Sequence, residues 1–204
     1  MPRDKTENHG KIVDAAFREF LEYGFADASL RRIAAACEMS VSGLYKHFPG
    51  KEEMFAALVD PAIEGLMSLY REVQGDYDEA LQKMDGEDPS INQNELIRLM
   101  EYIYEHYDEF KLIICKSGGT MYEDFAHRMA KIEEEATGRY MDDLRQMGVE
   151  VQSVDAKELH LLVTSYIEAV FQPVVHDFSK KEALHYAQTL EKFYIPAWKA
   201  LFGI

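Results

Sequence analysis

Between Ser29 and Lys51 the chain sets small and polar side chains on one side of two short helical stripes, a pattern suited to reading the edges of bases. Leu30, Ile33, Ala34 and Cys37 stand at i, i+3, i+4 and i+7, one apolar face of a helix. Glu38 and Met39 then turn the chain, Ser40 can cap a second helix, and Leu44 and Phe48 continue the apolar side. Val41, Ser42, Tyr45 and Lys46 are left on the free side. Two helices of this length around a tight turn form a helix-turn-helix, which lays its second helix in the DNA major groove. Other chemistry finds little footing. Gly-x-Ser-x-Gly, His-Glu-x-x-His and a phosphate-binding glycine loop are all absent, so no enzyme is expected. His106, His127, His160, His176 and His185 lack metal-ligand spacing, and neither a metal nor a cofactor is expected. Cys37 and Cys115 both sit on apolar stripes and make no disulfide framework.

The elements that must hold this motif are helical. Residues 1–10 are polar and read as an arm, with Arg3 and Lys5 able to touch DNA. Helices are expected at about 11–23, 29–37 and 40–47. Ile12, Ala16 and Phe20 recur at steps of four in the first of them, and Gly24-Phe25 closes it. A fourth helix starts at Lys51 and meets Pro61, which removes a hydrogen bond and should kink or break it. Residues 83–93 form a loop by composition. Leu96 to Ile114 is one long apolar stripe stopped by Ser117-Gly118-Gly119, and Phe125 to Met147 is another, ended by Gly148. Ala156 to Phe178 is apolar on two faces, and a last helix covers Lys180–Phe202. No strand pattern competes anywhere. The expected fold is all-α, divided into residues 1–52 and 53–204.

Residues 11–54 resemble the DNA-binding motif of the TetR (tetracycline-repressor-like) family of bacterial transcription regulators. The family pattern Ile-Ala-x-x-Ala-Gly-Val-Ser, Leu-Tyr-x-His-Phe and Lys-Glu stands here as Ile33-Ala34, Cys37-Glu38-Met39-Ser40, Leu44-Tyr45, His47-Phe48 and Lys51-Glu52. Two positions depart from it. Glu38 replaces the usual turn glycine, so the turn must avoid positive φ or carry strain. Ser42 stands where glycine is common and brings a hydroxyl to the groove. The resemblance implies a DNA-contacting set of Ser29, Arg31, Ser40, Val41, Ser42, Gly43, Tyr45, Lys46, His47 and Lys51. Within it, Ser29 is a phosphate-contacting hydroxyl or an N-cap, and can be both. Tyr45 and His47 match a phosphate-binding pair, with Tyr45 also able to reach a base. Lys51 favours a phosphate at the start of the fourth helix. Val41, Ser42 and Gly43 match the base-reading edge with Lys46 beside it, and Arg31 matches a residue that reaches guanine. For His47 and Arg31 the plain alternative is a solvated side chain.

Charge is divided to match. The net charge is −15, yet residues 1–53 carry 8 Lys and Arg against 9 Asp and Glu. The acidic excess therefore belongs to the second domain, which would repel DNA and keep nonspecific affinity low. No apolar run approaches the roughly 20 residues of a membrane span, and no signal-peptide core opens the chain, so a cytoplasmic home is expected. Beyond residue 54 the resemblance implies a helical, dimer-forming effector domain. A helix apolar on two faces must bury both. Ala156–Phe178 can pack one face on its own domain and, with the last helix, the other on a second copy as a four-helix bundle. The alternative is one larger monomeric core.

An apolar cavity for an unknown small-molecule effector would draw on Tyr102, Ile103, Tyr107, Phe125, Met129, Tyr140, Tyr166 and Phe171, each of which can equally be ordinary core. The function these features imply is a sequence-specific repressor on palindromic double-stranded operator DNA, released by that effector. The runner-up is a DNA-binding or interaction protein of the same family without an effector.

Overall fold

The computed structural model describes residues 5–82 and 94–204. Among them the chain is all-helical: α1 (Lys5–Asp27), α2 (Leu30–Ala36), α3 (Val41–Leu44), α4 (Lys51–Gln82), α5 (Glu95–Glu105), α6 (Tyr107–Cys115), α7 (Phe125–Gln146), α8 (Ala156–Val175) and α9 (Lys180–Phe202). They pack as two units. The first holds α1 to α3, α4 as far as Gly65, and the segment His106–Glu123; the second holds α4 from Leu66, α5, and Asp124–Ile204. The expected division after residue 52 is a single cut in sequence. The packing instead divides α4 along its length and brings α6 to the first unit.

In the first unit, Ile12, Ala15, Ala16 and Phe20 bury one face of α1. Phe20, Phe25 and Phe55 meet as three rings with centroids 5.2–5.9 Å apart. α1 changes direction at Gly24, whose φ of 74° and ψ of 167° only glycine adopts readily. The next amide, Phe25 N–H, donates to the Lys116 carbonyl at 2.8 Å, fastening the end of α1 to the segment after α6.

Behind α2 the chain forms a Schellman turn: Glu38 N–H donates to Ala35 O at 3.1 Å and Met39 N–H to Ala34 O at 3.0 Å. That turn needs a left-handed residue at Glu38, and its φ is indeed 53°. The strained alternative weighed for this position is the one adopted.

In the second unit Leu96, Met100, Val170, Ala183, Ala187 and Leu190 form one core cluster, the two alanines letting α9 approach α5 closely. Met141, Leu144 and Phe202 form another, with Trp198 packed against it. α9 opens with a reciprocal Ser179–Glu182 capping box and closes on left-handed Gly203.

Four expectations need correction. α1 begins at Lys5, so residues 5–10 belong to a helix rather than to a polar arm; Arg3 and the 83–93 loop lie outside the described residues. α4 runs without a break through Pro61: one missing donor is outweighed by the flanking buried face of Met54, Phe55, Leu58, Val59, Ala62 and Leu66. The stripe from Leu96 to Ile114 is two helices, parted at His106, whose φ of −119° and ψ of 38° leave the helical region. Asp108 and Glu109 then supply the acidic first turn of a new helix. Finally, α8 ends at Val175, three residues short of Phe178.

A non-glycine residue held left-handed costs about 1 kcal/mol. Glu38→Gly should therefore raise stability by at most about 0.5 kcal/mol in urea denaturation, after the roughly 0.5–1 kcal/mol of glycine's greater freedom in the unfolded chain is subtracted. A lower denaturation midpoint would show that the Glu38 side chain contributes more than its backbone costs.

Candidate nucleic-acid interface and ligand cavity

The motif's inward and outward faces separate cleanly. Leu44 and Phe48 are buried, while Arg31, Ser40, Ser42, Tyr45 and Lys46 are exposed and Val41, Gly43 and His47 half-buried. Ser40 caps α3, its Oγ accepting from Gly43 N at 3.1 Å and lying 3.0 Å from Ser42 Oγ. Gly43 is not demanded by the fold. A Cβ there would meet Ser40 Oγ at 3.4 Å and Met39 Cβ at 3.7 Å, ordinary contacts, so the missing side chain leaves the outer surface open for close approach. His9 of α1 stacks on Phe48 with centroids 4.8 Å apart, and its ring lies 6.3 Å from that of His47.

Two arrangements behind this face escaped the sequence reading. Buried Glu19 accepts from the Ser29 amide and from Arg32 Nε, each at 2.7 Å. Ser29 thus starts α2 through its backbone, and its hydroxyl makes no cap bond. Arg32 also lies over the Tyr23 ring, 4.1 Å from its centroid, and donates to Asp27 O at 2.9 Å. Lys51, implied by resemblance to be a phosphate contact, is turned inward. Its Nζ donates to the carbonyls of Phe25 at 2.6 Å, Ala26 at 3.3 Å and Ala28 at 3.4 Å, and sits 4.4 Å from the Phe25 ring centroid. An ammonium at a helix C-terminus meets the negative end of the helix dipole as well as unpaired carbonyls.

The second unit contains a cavity of about 380 Å³. Ile103, Met129, Tyr140, Tyr166 and Phe171 line it as expected. Tyr102, Tyr107 and Phe125 do not. Tyr107 falls in the first unit because the chain breaks at His106. Phe125 is buried edge-on against Phe171, with centroids 5.8 Å apart. α5 supplies its share of the wall through Glu95, Leu96, Leu99 and Ile103, without Tyr102. Sequence reading missed Tyr70, Glu133, Tyr194 and Trp198 in the wall. Glu133 followed from its place on α7, four residues after Met129 on the same helical face.

Tyr70 donates to Glu133 Oε2 at 2.7 Å. Glu133 is shielded from bulk water while facing the cavity, and burial raises its pKa despite the opposing effect of the Tyr70 bond. Burial, the Glu133 charge and the hydrogen bond raise Tyr70 in turn. Elsewhere in this unit His160 Nδ1 lies 2.9 Å from Glu134 Oε2, with the His127 ring 5.9 Å from that of His160. Among the described residues no group of three His, Cys, Asp or Glu is arranged to hold a metal.

Residues 12–58 match the family model for bacterial regulatory proteins of the tetR family. A stretch of 117 residues is 27% identical to an uncharacterised HTH-type transcriptional regulator of Haemophilus influenzae, covering 57% of this chain and 53% of that one. The chain spans about half the length of the curated relatives it matches. Among solved structures, the SmeT–triclosan complex is similar with a TM-score of 0.57 at 16% identity, over 96% of this chain and 91% of that one. NalD of Pseudomonas aeruginosa, the secondary repressor of the MexAB-OprM multidrug efflux pump, gives 0.55 at 16% identity, over 92% and 97%. At such identity the likeness shows the fold, a helix-turn-helix followed by a helical domain.

Removing the Lys51 ammonium takes a donor from three carbonyls, of which that of Phe25 keeps a long bond from Ala28 N–H at 3.4 Å. Lys51→Ala should lower stability by about 1–2 kcal/mol in chemical denaturation, the half-buried setting keeping the loss modest. An unchanged midpoint would mean that water replaces the ammonium without loss. The raised pKa of Glu133 gives a second expectation. A carboxyl that holds its proton more tightly when folded loses stability as pH rises through and above the ordinary carboxylate range. Glu133→Gln should therefore melt higher than the native chain at pH 7.5, with the gap closing near pH 4. A gap that persists at pH 4 would trace it to packing instead of charge.

Proposed function

Because residues 12–58 match the model of the tetR family of bacterial regulatory proteins, we propose that the chain is a non-enzymatic transcriptional repressor of that family that binds palindromic operator DNA as a homodimer. A small molecule entering the cavity of the second unit releases it. The observation that carries the DNA reading is the outward face of α2 and α3. Arg31, Ser42, Tyr45 and Lys46 are exposed there, beside a glycine the fold does not require. In this reading Val41, Ser42 and Gly43 meet base edges, Arg31 reaches a guanine, and Tyr45, His47 and the Ser29 hydroxyl meet phosphates. Lys51 acts as a positioning residue, holding the end of α1 from which α2 departs.

Dimerisation through the last two helices is favoured by what α8 and α9 leave uncovered. Leu161 is 65% exposed and Phe193 69%, large values for apolar side chains on helices whose other faces are buried. Two such faces paired about a two-fold axis would hide both and set two recognition helices on one duplex. The cavity favours an effector over the effector-free reading, and the SmeT–triclosan complex is a similarly folded protein holding a small molecule. α4 contributes Lys51 near the motif and Tyr70 to the cavity wall, which gives release a covalent route. No helix among the described residues is long and apolar enough to cross a membrane, in keeping with a regulator that works in the cytoplasm.

Val170 and Leu190 lie inside the core of a single chain, so charges there would unfold it. The informative substitutions are Leu161→Asp and Phe193→Asp together. They should give folded monomers by sedimentation, with specific operator binding lost. A native chain that sediments as a monomer at micromolar concentration and still protects a palindrome would contradict the dimer.

A further inference from the structure

The cavity's chemistry is more specific than its size. Its walls carry the acidic residues Glu95, Glu133, Asp143 and Glu191 against the basic residues Arg139 and Lys199. Arg139 and Asp143 are exposed at the rim, which leaves three half-buried carboxyls, Glu95, Glu133 and Glu191, against the one half-buried ammonium of Lys199. Glu133 is the clearest case. Its partner is the neutral Tyr70 hydroxyl, and among the described residues no lysine or arginine forms an ion pair with it. At Tyr166 the field is negative: burial first, then Glu133, Glu95 and Glu191, push its hydroxyl well above its ordinary range, while at Tyr70 Arg139 opposes burial and Glu133 without overcoming them. Burial raises Glu191 too.

A carboxylate kept from water without a cation is costly. Around this one stand the aromatic rings of Tyr70, Tyr166, Tyr194 and Trp198. Tyr166 and Tyr194 meet edge to face at 4.9 Å, and Tyr194 stacks on Trp198 at 6.3 Å, forming a continuous aromatic wall. Ring faces attract positive charge, most strongly once it is desolvated. The volume of about 380 Å³ suits a drug-sized molecule.

From this juxtaposition we infer that the cavity binds a lipophilic organic cation, its positive charge set against the Glu133 carboxylate and its apolar body against the aromatic wall. The inference rests on the effector reading of this cavity only for its consequence on DNA. Binding itself stands on the cavity alone. An anionic ligand would instead have to set its charge by Arg139 or Lys199, away from the Glu133 carboxylate.

The test uses tetraphenylphosphonium and tetraphenylborate, which share shape and size and differ in the sign of their charge, titrated into the full chain by calorimetry. The phosphonium should bind once per chain, about tenfold or more tighter than the borate, as one charge pair at a shielded site would give. Glu133→Gln should weaken the phosphonium by about tenfold or more and leave borate binding no weaker. Glu133→Asp, which keeps the charge, should retain the preference for the cation. Absent phosphonium binding, borate binding as tight as phosphonium binding, or equal phosphonium affinity in Glu133→Gln would each overturn the cation site. A separate measurement adds operator DNA. Phosphonium binding that depends on Glu133 yet leaves DNA bound would uphold the cation site and sink the effector reading.

Discussion

Seven residues of α2 and four of α3 are too few to be helical by themselves. A surface that reads DNA must also keep its outer side chains uncommitted, so it cannot stabilise itself through them. Both demands send the stabilisation backwards, into α1 and the start of α4. The Lys51 ammonium gathers the carbonyls at the end of α1, buried Glu19 holds the Ser29 amide where α2 begins, and the Phe20–Phe25–Phe55 rings fill the space behind. Leu44 and Phe48 then anchor the recognition turn from its inner side. Lys51 serves this arrangement better as an internal donor than as one more positive charge facing a phosphate.

The second unit solves a different problem. Its helices are long enough to carry full apolar faces, and they leave a cavity where a solid core would be more stable. A shielded carboxyl in that cavity adds to the cost, since burial opposes its charge. Stability given up in two ways at one place is the signature expected of a site kept for binding. The acidic excess of this half of the chain, in the proposed repressor, would also keep its surface off DNA and leave recognition to residues 1–53, where 8 Lys and Arg nearly balance 9 Asp and Glu.

The parts of this molecule most legible in sequence were those set by local periodicity. The stripes of α1, α7 and α9, and the closing glycines Gly24 and Gly148, follow from residue spacing and from φ values that glycine alone takes readily. The helix-turn-helix was legible for the same reason, with the choice Glu38 forces already visible. The break at His106 was not, because neither glycine nor proline marks it and the acidic pair Asp108-Glu109 reads equally well inside a continuing helix. Pro61 misled in the opposite direction, since local chemistry does not report how much buried face can carry a helix past one lost bond. Cavity residues were half legible: aromatic character suggested Tyr140, Tyr166 and Phe171, but only packing shows that Phe125 is filled in and that Glu133 and Tyr70 face the void. Lys51 was placed on the right element, but its inward direction was not legible, because a long flexible side chain is aimed by its partners.

DNA recognition by the α2–α3 face is the claim on which the rest turns, and selection from a pool of random duplexes tests it most directly. The full chain, carried through repeated rounds of binding and amplification, should enrich one palindrome whose half-sites are read through the major groove. Chains carrying Ser42→Ala or Arg31→Ala should enrich palindromes changed at particular base pairs within each half-site. A pool that stays random under the native chain, or an enriched site identical for both variants, would contradict recognition by this face.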